Sequence, residues 1–181
     1  MCTPGPDQIA MRAAHAAFGR PLITNVHRGL IVEAIVSEAL SPAWSWCAKD
    51  YAPWDFEHES GTRLEVRQTA VRQSWSQAPA TRARPSFDIA KREGRYSADS
   101  WIASRRRWAD LYLLAYHAEE SDEADHRDPQ QWQFYPIAER ALPDQASLGI
   151  AHVRRLSSPC GYSDLDECVG SLLASLGLSP K

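Results

Sequence analysis

No stretch of this chain is apolar for long enough to cross a membrane, because the roughly 20 consecutive apolar residues that a spanning helix needs never occur. The opening Met-Cys-Thr-Pro-Gly-Pro lacks a basic segment followed by an apolar one, so no secretory signal is expected and a cytoplasmic setting follows. Cysteine is sparse. Its four copies, Cys2, Cys47, Cys160 and Cys168, share no Cys-x-x-Cys spacing, which argues for reduced thiols and against zinc or a disulfide framework. The six histidines form no helical ligand pair, and neither a glycine-rich phosphate loop nor a Gly-x-Ser-x-Gly elbow occurs. Hydride transfer, nucleoside-triphosphate hydrolysis and serine esterase chemistry all lose their usual signatures.

What is present is enough for one ordinary domain: 181 residues, 44% hydrophobic and 24% charged. The net charge of -3 conceals a sharp division. Residues 61–107 hold 11 Lys and Arg against 4 Asp and Glu, whereas residues 108–181 hold 5 against 12. A basic stripe of this kind suits a polyanion backbone, and Trp75, Tyr96, Trp101 and Trp108 are interleaved with it as candidate stacking surfaces. The same tryptophans would serve equally as core.

The segment Trp54 to Gln68 reads as a β-hairpin. With Glu59-Ser60-Gly61 as a three-residue loop and Gly61 left-handed, His58 faces Thr62 and Asp55 faces Glu65. Strand alternation then sets Arg67 beside Glu65 and turns Leu64 and Val66 into the core. Two neighbouring carboxylates repel unless a positive charge lies between them. Arg67 on a solvent-facing hairpin could supply it; so could a hard divalent cation, which binds oxygen ligands and needs only one or two carboxylates. Upstream, His27 to Leu40 is an apolar helix in which Glu33 is the only charge between Leu30 and Val36. A carboxylate there requires either a partner or a wet edge.

Glu33, Asp55 and Glu65-Val66-Arg67 in this order resemble the active-site pattern of the PD-(D/E)xK, restriction-endonuclease-like nuclease superfamily. Asn25, Arg28-Gly29 and Glu33 look like the opening helix of an uncharacterised bacterial branch, and Arg63 to Arg67 with Gln73-Ser74-Trp75 like its central strand and sequel. Arg107 to Tyr112 and Gln131 to Tyr135 are similar to its next strands. The resemblance implies an α/β (α+β) fold with a restriction-endonuclease-like core, a central mixed β-sheet flanked by helices. It also implies metal-assisted hydrolysis of nucleic acid, DNA before RNA, with Glu33, Asp55, Glu65 and Arg67 catalytic. Asp55, Glu65 and the Val66 carbonyl would hold Mg2+ or Mn2+, and Arg28, Arg72, Gln73 and Trp75 would meet substrate. One position departs from the pattern, which has Lys where this chain has Arg67. Arginine keeps the positive charge and grips phosphate through two donors, but it does not readily release a proton. A member that binds nucleic acid or a protein partner without cutting is therefore the second reading.

The remaining segments supply the frame. Residues 1–24 read as a leader with a short helix over Asp7 to Phe18, and residues 25–177 as one domain. Asn25 is expected to cap the Glu33 helix, and a short strand is expected around Trp44 to Cys47. Ser76 to Pro85 reads as a loop and Phe87 to Ala90 as a strand before a basic turn at Gly94. Trp108 to Ala118 and Gln131 to Ile137 are expected to pair around a solvated acidic loop. The last helix begins at Ser163, and its stripe of Leu165, Val169, Leu172, Leu173 and Leu176 suits either core or a homodimer seam.

Overall fold

The computed structural model describes residues 3–48, 52–75, 84–97 and 100–177. Two helices come first, α1 over Pro6–Phe18 and α2 over Asn25–Leu40. Strands β1 (Trp44–Trp46), β2 (Phe56–His58) and β3 (Arg63–Ala70) follow, then β4 (Ser86–Asp88), β5 (Arg92–Ser97) and β6 (Ser100–Arg106). Next are β7 (Leu111–His117), β8 (Trp132–Ala138), β9 (Ser147–Gly149), α3 (Ile150–Leu156) and α4 (Leu165–Ser175).

The central sheet has the order β1-β2-β3-β7-β8. Only β3 and β7 run parallel, which makes the sheet mixed and the fold α+β, with helices flanking it. β7 is buried from end to end because both of its faces are covered, which explains why Leu-Tyr-Leu-Leu-Ala-Tyr-His alternates so little. Leu111 and Leu113 join Leu64 and Val66 under α2 and α4, through Val32, Val36, Leu165 and Val169. On the other face Tyr112, Leu114 and Tyr116 meet Phe87, Leu148 and Val153. No helix among the described residues is long and apolar enough to cross a membrane.

Parallel neighbours cannot be joined by a tight turn, so the chain must travel from one end of β3 back to the start of β7. That return path carries β4, which pairs with β9, and the antiparallel ribbon β5–β6. Nothing in the sequence predicts the ribbon. All of β6 is exposed, and without a buried face its residues show no apolar alternation.

Three further expectations need revision. The helix begins at Asn25, but its N-cap is Thr24, whose carbonyl accepts from the Arg28 N–H. The acidic segment pairs β7 with β8 as expected and most of its charges are exposed, yet two residues in its middle are not solvated. Ala124 and His126 are buried, and His126 ties the loop to Pro21 and Arg72. The last helix starts at Leu165 rather than Ser163, because Tyr162–Asp164 forms a 3-10 turn. Its stripe otherwise packs inward, with Leu165, Val169 and Leu173 buried and Leu172 and Leu176 half-buried on the core. Most of the loop expected over Ser76 to Pro85 lies outside the described residues.

The buried loop residue has a measurable consequence. His126 Nδ1 accepts from the Ile23 N–H at 3.0 Å and Nε2 donates to the Arg72 carbonyl at 3.1 Å, so the ring is held neutral. Burial, with Arg28 and His117 nearby, pushes His126 down to about 4. A histidine lowered on folding contributes stability that is complete above its unfolded value near 6.5 and is lost as pH falls toward about 4. The stability difference between wild type and His126→Gln should therefore shrink across that window, by up to about 1.4 kcal/mol per pH unit. Urea denaturation at stepped pH measures it, and a pH-independent difference would contradict the neutral buried ring.

Candidate active site

The hairpin forms as its residue order dictates. The Gly61 N–H donates to the His58 carbonyl and Gly61 has φ 81°, the left-handed turn conformation that glycine adopts without strain. Phe56 lies opposite Leu64, which places Asp55 across from Glu65. The Thr62 and Leu64 carbonyls accept from β2 and its approach, whereas the Arg63 carbonyl accepts from Asp110 at the head of β7. By alternation the Val66 N–H and C=O project toward β2, where that strand has already ended. Asp55 fills the gap with its side chain: the Val66 N–H donates to Asp55 Oδ2 at 2.7 Å. Among the described residues the Val66 carbonyl meets a long 3.4 Å contact from Arg67 Nη1.

Glu65 and Arg67 point to the opposite face from Leu64 and Val66, with Glu65 beside Tyr112 of β7. Glu65 is only 7% exposed and its Oε1 is ion-paired with Arg67 Nη2. Burial pushes Glu65 up to about 8; Arg67 pulls it down, while Asp55 and Glu33 add to the rise. Asp55 is also raised by burial, against the Val66 N–H and Arg67. One guanidinium thus serves several enclosed carboxylates and cannot satisfy them all. Glu33 reaches the same neighbourhood from α2. Its Oε2 accepts from the Trp46 indole at 3.0 Å, and it too is raised by burial and by Asp55.

The partner that Glu33 required is therefore Trp46, a residue that no local pattern singles out. Among the described residues no three Asp, Glu, His or Cys side chains close around one point that could hold an ion. What remains is the smaller set of Asp55, Glu65 and the Val66 carbonyl. These are hard oxygen donors, two of them carboxylates in excess of their counter-charge, and such a set suits Mg2+ or Mn2+. Arg67 now contacts Glu65 and the Val66 carbonyl, so an ion drawing on those oxygens would compete with the guanidinium.

The four residues expected to meet substrate lie elsewhere, around the far end of β3. Arg28 is 1% exposed and donates to Gln68 at 2.6 Å, Gln73 at 2.8 Å and Asn25 at 2.8 Å. Burial without an acidic partner lowers it to about 10. It positions Gln73, whose amide donates in turn to the Ala70 carbonyl, and does not present itself to solvent. Arg72 holds the acidic loop through Asp122 and the Ser121 carbonyl. Trp75 is widely exposed.

The cleft against Glu65 and Arg67, about 340 Å3, is instead walled by Ala52, Pro53, Trp108 and the β5–β6 ribbon. The ribbon side chains are legible in the sequence only as part of the basic stripe, since nothing local registers them against β3.

No protein-family model matches this chain, and no curated protein matches it. Among solved structures it is similar to a bacterial homing endonuclease, I-Ssp6803I, at 11% sequence identity and TM-score 0.44, over 84% of this chain and 95% of that one. A likeness that slight does not bear on what the chain does.

Proposed function

We propose that this chain hydrolyses phosphodiester bonds of nucleic acid, DNA before RNA, at Asp55, Glu65 and Arg67 with Mg2+ or Mn2+ as cofactor. The observation that carries the reading is the gap at the end of β2, where a buried and a half-buried carboxylate and an unladdered carbonyl lie about Arg67. The basic surplus of residues 61–107 supports a polyanionic substrate. Asp55, Glu65 and Val66 would hold the ion, which supplies Lewis acidity at the phosphoryl oxygen and acidifies water. Arg67 faces the cleft, 29% exposed, and would grip the phosphate and offset the charge that grows on it. Glu33, steadied by Trp46, stands within electrostatic reach of Asp55 and would add a further negative charge toward a bound ion.

A second reading has its own support. The guanidinium already engages Glu65 and Val66, so a protein that binds nucleic acid or a protein partner without cutting fits the same geometry. Plasmid nicking with Mg2+ or Mn2+ separates the two. Nicked circles are expected with wild type, and Arg67→Lys should raise a slow rate by restoring an ammonium that yields more readily to an ion. Mn2+ binding by calorimetry without any cleavage of duplex, single strand or RNA would leave the non-cutting reading.

A further inference from the structure

The cleft beside the carboxylates is built for more than a phosphate. Its outer wall is the β5–β6 ribbon, from which Tyr96 and Trp101 stand 55% and 52% exposed. The Trp101 ring is held in place. It lies across Gly94, where an added Cβ would come within 2.6 Å of the indole, and it meets the Tyr96 ring edge-on at 5.1 Å. An indole fixed in this way and left open to solvent has its ordering cost already met before any ligand arrives.

The inner wall is largely apolar and is backed by guanidinium groups. Trp108 is 7% exposed, with the guanidinium groups of Arg106 and Arg95 at 4.0 Å and 5.0 Å from its ring. Among the described residues its Nε1 and the Nε of Arg95 are buried donors that find no acceptor. Such orphans are rare in folded proteins. Among the described residues neither Arg95 nor Arg106 has an acidic partner, whereas Arg92 pairs with Asp88 and Arg105 with Glu93.

The aromatic platform and the guanidinium of Arg95 share one cleft with Glu65 and Arg67. We infer that this cleft takes an unpaired nucleotide, its base stacked on Trp101 and its phosphate directed to Arg67, which makes single-stranded or flapped DNA the substrate class. Only an unpaired or extruded base offers its face to an indole, because within a duplex both faces are covered by neighbours. The volume, about 340 Å3, is that of a small-ligand site and not of a groove that embraces a duplex. The inference rests on the hydrolytic reading for its substrate, but its test does not require cleavage.

Binding is measured in EDTA at low salt, by anisotropy of a labelled short oligothymidylate and of the same strand annealed to its complement. The single strand should bind at least several-fold more tightly than the duplex and quench tryptophan fluorescence. Trp101→Ala should weaken it by roughly five- to a hundredfold, and Trp101→Phe should keep most of the affinity. Trp101 is exposed, so circular dichroism should show an unaltered fold in both variants. Equal affinity for strand and duplex, or wild-type affinity in Trp101→Ala, overturns the inference. If wild type shows the expected preference yet cuts nothing, the stacking subsite stands and hydrolysis fails. If it cuts DNA while Trp101→Ala binds as wild type does, hydrolysis stands and the subsite fails.

Discussion

Asp55→Asn and Glu65→Gln should each lower the rate of Mn2+-supported phosphodiester hydrolysis by more than about a hundredfold and abolish calorimetric Mn2+ binding, with the fold intact. Loss of a residue that merely supports a ligand costs roughly 10–100-fold in metal affinity or activity, so loss of a ligand itself should exceed that range. Both substitutions keep shape and remove charge. In Asp55→Asn the amide oxygen can still accept from the Val66 N–H, so the hairpin keeps its closing bond. In Glu65→Gln the amide matches the protonated carboxyl that Glu65 carries below about 8, and its oxygen can still accept from Arg67. A carboxyl raised on folding contributes stability that is full below its unfolded value near 4.5 and disappears as pH rises through about 8. Melting curves of Glu65→Gln and wild type should consequently lie closest at acidic pH. Wild-type cutting by either variant would show that these oxygens hold no essential ion.

Trp132→Ala should destabilise the protein by about 3–5 kcal/mol, the range for removing a buried aromatic side chain. Trp132 is 1% exposed and meets the His117 ring at 5.0 Å and the His126 ring at 6.1 Å. Its indole donates to the His126 carbonyl at 3.0 Å, a buried bond whose acceptor would be left alone. Against the roughly 5–15 kcal/mol typical of a folded domain, the loss should be plain in urea melts. Trp132→Phe should recover much of the packing and lose the bond. A change under about 1 kcal/mol in Trp132→Ala, the size of an ordinary surface effect, would mean that the loop holds His126 without the indole.

Legibility in the sequence follows physical locality. The hairpin is readable because Gly61, the alternation of Leu64 and Val66 and the loop length all act within a short stretch of chain. So is the apolar stripe of α4. Glu33 can be recognised as a charge in need of a partner, but its donor, Trp46, reaches it only once α2 and β1 dock, and no periodicity encodes that. The acidic segment misleads for a related reason: its charges are solvated on average, while two residues among them, Ala124 and His126, decide where it lies. The ribbon escapes notice because an exposed pair of strands needs no hydrophobic pattern, and α3 with β9 because both are short.

The carboxylates and the wall that faces them differ in how they are anchored. Glu65 belongs to the sheet and Asp55 closes the end of the hairpin through the Val66 N–H, so paired strands hold both in place. The ribbon hangs on the excursion between Ala70 and Leu111 and contributes nothing to the central ladder. The ribbon itself, exposed along β6, can lengthen, shorten or exchange its charges while the sheet and its carboxylates stay where they are. If the carboxylates cut and the ribbon selects the strand, as proposed, the two are separable in this architecture, and a transplanted ribbon is the direct way to retarget it.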